Sequence, residues 1–233
     1  MKTLVINLPS RPDRLKLFQQ HWNWLDFEIV NGIHSDILHT GCGLAHIKAI
    51  RKGLEHNDWC LVLEDDARIF DKKEFLELIN EATKSIQWDA VLLGPTAHPE
   101  FSDPISVRVS KNFMKCSRTK SIVNTTATLW SKKCIPLINE FEQILNQNHI
   151  FPIDRMLTSF AYPWICTRTN GDEAPNATDI SILPNVWISM KCLAIQEPGL
   201  LSDNSHELSR DLLKDTQPFL TRLRTACSKD DSQ

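Results

Sequence analysis

Short apolar runs that stop abruptly at polar turns alternate, through the first two thirds of the chain, with stretches whose apolar residues recur every three or four positions. Leu4, Val5 and Ile6 read as a buried strand that empties into the polar run 7–14, and residues 14–24 carry helix-compatible spacing. A second short strand over 27–30 is closed by Asn31 and Gly32, with a loop over 34–40. Leu44, Ile47, Ile50 and Leu54 place a helix from about Gly43 onward. The continuous run 59–63 has the character of a strand covered on both faces, and it ends at Glu64, Asp65 and Asp66. Phe75, Leu78, Ile79, Ala82 and Ile86 mark an amphipathic helix, and 89–94 another buried strand. Beyond Gly94 the pattern loosens: 105–109 and 124–130 read as strands, 135–145 as a helix, and 181–195 as one or two strands. Strands alternating with helices predict an α/β fold with a mostly parallel central sheet.

A chain of 233 residues suits one large domain, because single cores usually divide beyond roughly 250 to 300 residues. The expected organisation is a catalytic domain over 1–204 and a helical tail over 205–233. Leu208, Leu212, Leu213, Phe219, Leu220 and Leu223 give that tail an apolar stripe to pack on the domain, ahead of flexible last residues. With 42% hydrophobic and 24% charged residues the composition is that of a globular protein, and a net charge of -3 offers no field for polymeric nucleic acid. The apolar start is broken by Asn7, Pro9 and Arg11, too early for a signal segment, and no window approaches the roughly 18 apolar residues of a membrane span. At most peripheral membrane contact is expected. Seven cysteines, an odd number without CxxC spacing, point to a reducing, cytoplasmic setting.

Three consecutive acids after a buried strand are costly unless something neutralises them, since like charges in contact resist joint ionisation. A divalent cation is one solution, and hard oxygen ligands favour Mn2+ or Mg2+, which typically bridge carboxylates to substrate phosphates. A solvated acidic turn is the other reading. In open α/β sheets ligands bind beyond the carboxyl ends of strands, where Glu64, Asp65 and Asp66 fall.

The run Ile6-Asn7-Leu8-Pro9-Ser10-Arg11-Pro12-Asp13-Arg14, then Gly41-Cys42-Gly43-Leu44-Ala45-His46, then Leu63-Glu64-Asp65-Asp66-Ala67 resembles, in order and approximate spacing, the motifs of glycosyltransferase family 25, the lipopolysaccharide and procollagen type. Thr126 to Ser131, Pro152-Ile153-Asp154, and Gln196-Glu197-Pro198-Gly199 with Ser202-Asp203 extend the resemblance over residues 4–205. Ala45 departs from the commoner Ser, Leu129-Trp130 from the usual Tyr, and Asn204 from an aliphatic residue, while 95–120 matches none of the motifs. The resemblance implies a glycosyltransferase type-A fold, Rossmann-like in binding a nucleotide-sugar. It also implies a donor that is commonly UDP-linked, a glycan or glycoconjugate acceptor, and inversion at the anomeric carbon.

On that footing Asp66, and secondarily Glu64, would hold the cation, since strand alternation puts positions two apart on one side. His206 would complete the metal shell and Asp65 would orient the ribose or a water. Arg11 and Arg14 would reach the donor's phosphates with guanidinium forks, with pairing to Asp13 as the bland alternative. Leu8 and Pro9 would shape the nucleotide pocket, while His46, Gln196 and Ser202 would also contact the donor. Inverting displacement needs a general base, and Asp154 is the candidate, an N-cap role being equally open. Cys42 lacks a paired base and reads as structural. The competing functions are a metal-dependent phosphohydrolase or nucleotidyltransferase, and a catalytically idle nucleotide-sugar-binding module.

Overall fold

In the computed structural model the first strand, β1 (Lys2–Asn7), lies between two parallel neighbours, β2 (Glu28–Asn31) and β3 (Trp59–Glu64). The structure describes residues 1–37, 40–97, 105–117, 122–146, 153–158, 185–191 and 194–196. Between the first strands run α1 (Pro12–His21) and α2 (Thr40–Leu54), followed by the short β4 (Ala67–Ile69), α3 (Lys72–Thr83) and β5 (Ala90–Leu92). Then come β6 (Thr96–Ala97), β7 (Ile105–Arg108), β8 (Phe113–Ser117), β9 (Ile122–Val123) and β10 (Ala127–Ser131). The last described elements are α4 (Ile135–Asn146), α5 (Ile153–Thr158), β11 (Val186–Ser189) and β12 (Ala194–Gln196).

Eight strands form one sheet in the order β2-β1-β3-β10-β5-β11-β8-β7. Six of them run in one direction, and β8 and β10 run against them. The expected mostly parallel α/β sheet is therefore present, although the two reversed strands make more than half of its pairings antiparallel. Two small ladders lie apart from it, β12 with β4 and β6 with β9.

The continuous apolar runs are explained by burial on both faces. Along β1, Leu4 joins one core and Val5 the other; along β3, Cys60 and Val62 alternate with Leu61 and Leu63; along β5, Ala90 and Leu92 alternate with Val91. The first core takes Ile47 and Ile50 of α2, Phe141 and Leu145 of α4 and Leu157 of α5. The second takes Phe18 of α1, Trp22 just beyond it, and Phe75 and Leu78 of α3. Helices thus cover both sides of the sheet. Asp71 caps α3 by accepting from the Glu74 amide at 2.9 Å, and Pro12 opens α1 where a missing N–H costs nothing.

The predicted and observed elements differ where local pattern and packing disagree. The second helix begins at Thr40, ahead of the expected Gly43, because Gly41 is there for close approach: a Cβ on it would collide with the Ile33 carbonyl. The strand expected over 124–130 starts only at Ala127, since Asn124 holds φ at 95° and turns the chain. Strands β4, β6, β8 and β9 were not expected; each is short, and β8 carries the exposed Lys115. The tail over 205–233 lies outside the described residues. Among the described residues no helix is long and apolar enough to cross a membrane.

Candidate functional site

The ends of β1, β2 and β3 open into a cleft of about 130 Å³. Ile6, Leu8, Gly32, Ile33, Gly41 and Ala45 give it apolar and backbone walls, and Arg14, Cys42, His46, Glu64, Asp65, Asp66 and Gln196 give it its chemistry. This is the position at which open α/β sheets bind ligands.

The acids are held from three directions. Glu64 is the last residue of β3, its amide bonded to the Thr126 carbonyl at 3.0 Å, while Asp65 and Asp66 fall in the turn between β3 and β4. Strand alternation therefore stops at Glu64, and the expectation that Glu64 and Asp66 share a side does not apply beyond it. Glu64 Oε1 accepts from the Thr125 hydroxyl at 2.9 Å and lies 3.3 Å from His46 Nε2. Asp65 Oδ2 accepts from Asn7 Nδ2 at 2.6 Å, and Asp65 Oδ1 is 3.2 Å from Arg14 Nε. Asp66 Oδ2 is ion-paired with Arg14 Nη2.

Arg14 reaches both aspartates because of its place in the sequence. Arg14, Phe18 and Trp22 follow at intervals of four on one buried stripe, so the guanidinium enters beside the second core and needs an anionic partner there. Trp22 fixes the approach by donating its indole N–H to the Ala67 carbonyl at 2.8 Å, directly after the acids. Neutralisation of the triplet, assigned in sequence to a cation, is thus supplied in part by Arg14.

Burial pushes Asp66 up to about 8, with Glu64 and Asp65 adding to the rise and Arg14 opposing it. Burial also raises Glu64, but the contacts with His46, Thr125 and Arg14 outweigh it and hold the carboxyl below its ordinary value. Of these two carboxyls, Asp66 is therefore the one that holds its proton to higher pH. Burial, reinforced by Glu64, Asp154, Asp66 and Asp65, pushes the Cys42 thiol well above its usual range, which disfavours its thiolate.

Two groups in the cleft invite a ligand. His46 is fully buried and neither ring nitrogen completes a hydrogen bond, although Nε2 stands beside Glu64; Asp66 Oδ1 is buried with no donor. An orphaned carboxylate oxygen suits a hard cation, although among the described residues no three His, Cys, Asp or Glu side chains are grouped to hold one.

Of the residues expected to serve the site, Leu8, Arg14, His46, Glu64, Asp65, Asp66 and Gln196 line one cleft. Gln196 arrives because β12 pairs with β4, opposite Ala67. Pro9 does not line it, and Arg11 forms a forked pair with Asp13, at 3.0 and 2.9 Å. Asp154 lies inside the first turn of α5, where its Oδ2 accepts from the Asn124 amide at 3.1 Å. Ser202 and His206 lie outside the described residues. Asn7, Asn124 and Thr125 were not foreseen; Asn124 and Thr125 tie the Asp154 carboxylate and Glu64 to one corner. Asn7, the first polar residue after a buried strand, carried the signal.

No family model matches the chain, and no curated protein matches it. Solved structures do. The chain is similar to A197 from STIV at 15% identity and a TM-score of 0.40, covering 89% of this chain and 93% of that one. It is similar to a mannose-1-phosphate geranyltransferase from Thermus thermophilus at 9% identity and a TM-score of 0.44, covering 81% and 73%. It is also similar to a glycosyltransferase involved in the glycosylation of the major capsid of PBCV-1, at 12% identity and a TM-score of 0.41, covering 81% and 92%. At such identities and scores these likenesses assign this chain no activity.

Proposed function

We propose that the chain is a glycosyltransferase that moves a hexose or related sugar from a UDP-sugar to a hydroxyl of a glycan or glycoconjugate, with inversion. The observation that carries this reading is the convergence of Arg14, His46 and the acid triplet in one cleft beyond the carboxyl ends of β1 and β3. The motifs that resemble family 25 converge there as well: Leu8 and Arg14 from the first, His46 from the second, the acids from the third, and Gln196 from the last.

Leu8 and Ile33 line the cleft and would wall the nucleotide there. The Arg14 fork suits diphosphate oxygens, and the His46 ring nitrogens can exchange a hydrogen bond with the donor. Asp154 takes the proton of the acceptor hydroxyl as it attacks, its carboxylate oriented by the Asn124 amide. Its charge reaches the cleft, since it contributes to the rise at Cys42. A divalent cation, Mn2+ or Mg2+, belongs to the proposal: Asp66 and Glu64 would hold it, with His206 from the tail, and the orphaned Asp66 Oδ1 fits that role. When bound it supplies charge neutralisation of the leaving diphosphate.

The test is product analysis. Incubated with a panel of UDP-hexoses and no acceptor, the protein should release UDP slowly, and Asp66→Asn should lose most of that release. Release of inorganic phosphate from simple esters, with UDP-sugars left intact, would replace the proposal with a phosphohydrolase.

A further inference from the structure

One turn joins the proposed base to the acid triplet, and a single residue sets its shape. Asn124 holds φ at 95°, the left-handed backbone that asparagine adopts more readily than most side-chain-bearing residues. Its Oδ1 accepts from the Thr126 amide at 2.8 Å and from the Thr126 hydroxyl, closing the chain on itself as asparagine does in turns. Because a backbone N–H can only donate, that bond also settles which side-chain atom is the oxygen, and Nδ2 is left buried with no partner. A left-handed backbone and an unpaired buried donor both cost stability, and such costs gather at functional sites.

The turn has a carboxylate at each end. The Asn124 amide donates to Asp154 Oδ2 at 3.1 Å, and the Thr125 hydroxyl donates to Glu64 Oε1 at 2.9 Å. The Thr126 carbonyl accepts from the Glu64 amide at 3.0 Å, so Glu64 is held by backbone as well as side chain. Thr126 is fully buried, and β10 begins at the next residue, opposite Leu63 of β3. Residues 125 and 126 are therefore anchored to the middle of the sheet, while Asp154 arrives on the short α5. With the following residues anchored, a change of φ at 124 swings the Asn124 N–H, and with it the bond to Asp154. Glu64 and Asp154 both act on the Cys42 thiol in the cleft wall, so this corner borders the cleft. We infer that Asn124 is a positioning residue, whose left-handed backbone and bond to Thr126 fix the Asp154 carboxylate relative to Glu64. Its role in transfer rests on the proposed reading of Asp154 as the base.

Slow release of UDP from a UDP-hexose without acceptor supplies the assay. Water takes the acceptor's place: its oxygen bonds the anomeric carbon as the bond to UDP breaks, and its proton passes to Asp154. Asn124→Ala, strained at a φ of 95°, should lower kcat at least about 10-fold with KM within about 3-fold of wild type. Asn124→Gly accepts that φ but lacks the bond to Thr126; it should fall between the two, and it replaces the alanine variant if that fails to fold. The deciding comparison is made in Asp154→Asn, where the same substitution at 124 should cost less than about 2-fold more, since its effect passes through that carboxylate. An unchanged kcat in Asn124→Ala, or equal losses in both backgrounds, would overturn the positioning role and leave the transferase reading intact. No UDP release from any UDP-hexose by the wild type would overturn that reading, and this role with it.

Discussion

Replacing Asp66 by asparagine should make the protein relatively more stable as pH rises. The side chain is 5% exposed, one oxygen faces Arg14, and the other faces no donor. Burial and the neighbouring acids lift its folded-state value from 3.8 to about 8 despite Arg14. A raised acid has a definite sign: the folded state binds the proton more tightly than the unfolded chain. Stability from this group is therefore full below the unfolded value, falls as pH climbs, and is lost once pH passes the folded value. One such proton costs about 1.4 kcal/mol per pH unit, so from about pH 5 to about pH 8 the wild type should lose about 4 kcal/mol that Asp66→Asn, with nothing to ionise, does not lose. Urea unfolding at several pH values, with the slope on denaturant checked for constancy, measures the difference directly. A gap between variant and wild type that stays level with pH would refute the reasoning. So would a wild type that gains on the variant as pH rises, which would mean that the Arg14 pair outweighs burial.

Three further outcomes are expected. Thr125→Val removes the hydroxyl that donates to Glu64 and should cost about 1 to 3 kcal/mol in chemical unfolding, with Glu64 losing one of the contacts that hold its value down. Gly94→Ala drives a methyl group into the Ala194 carbonyl where β12 passes the sheet, and should destabilise by about 1 to 3 kcal/mol, readable in a thermal melt. Cys42, although it lines the cleft, should resist iodoacetamide at about pH 8 in peptide mapping, because burial and four nearby acids disfavour its thiolate; rapid labelling in the native protein would contradict that electrostatic picture.

The interior of the sheet was legible because its strands are buried on both faces: runs such as 59–63 and 89–94 leave no alternative to a covered strand. The small ladders beside it were less so. The three-residue strand β4 has no pattern of its own, and although the strand reading over 181–195 reaches β12, no local pattern announces Ala67 opposite Gln196. Tertiary contact also decided the start of α2, where Gly41 reads as a breaker in sequence yet serves the packing on Ile33. In the site, the position of the acids followed from where an apolar run ended, but their neutralisation did not. The clue was present in the interval from Arg14 to Phe18 to Trp22, which puts a guanidinium on an apolar helix stripe and so demands a buried acid nearby. Nothing comparable marked the corner at Asn124, whose positive φ and bond to Asp154 exist only in the folded chain.

The most direct measurement of the central claim is thermal unfolding against a panel of nucleotide-sugars with Mn2+ present. A donor at about 100 times its dissociation constant adds about 2.7 kcal/mol to the folded state, a rise of roughly 5 to 10 °C for a chain of this size. The account predicts such a rise with one UDP-sugar, diminished in Arg14→Gln. No rise with any nucleotide-sugar, while a simple phosphate ester stabilises the protein, would contradict it.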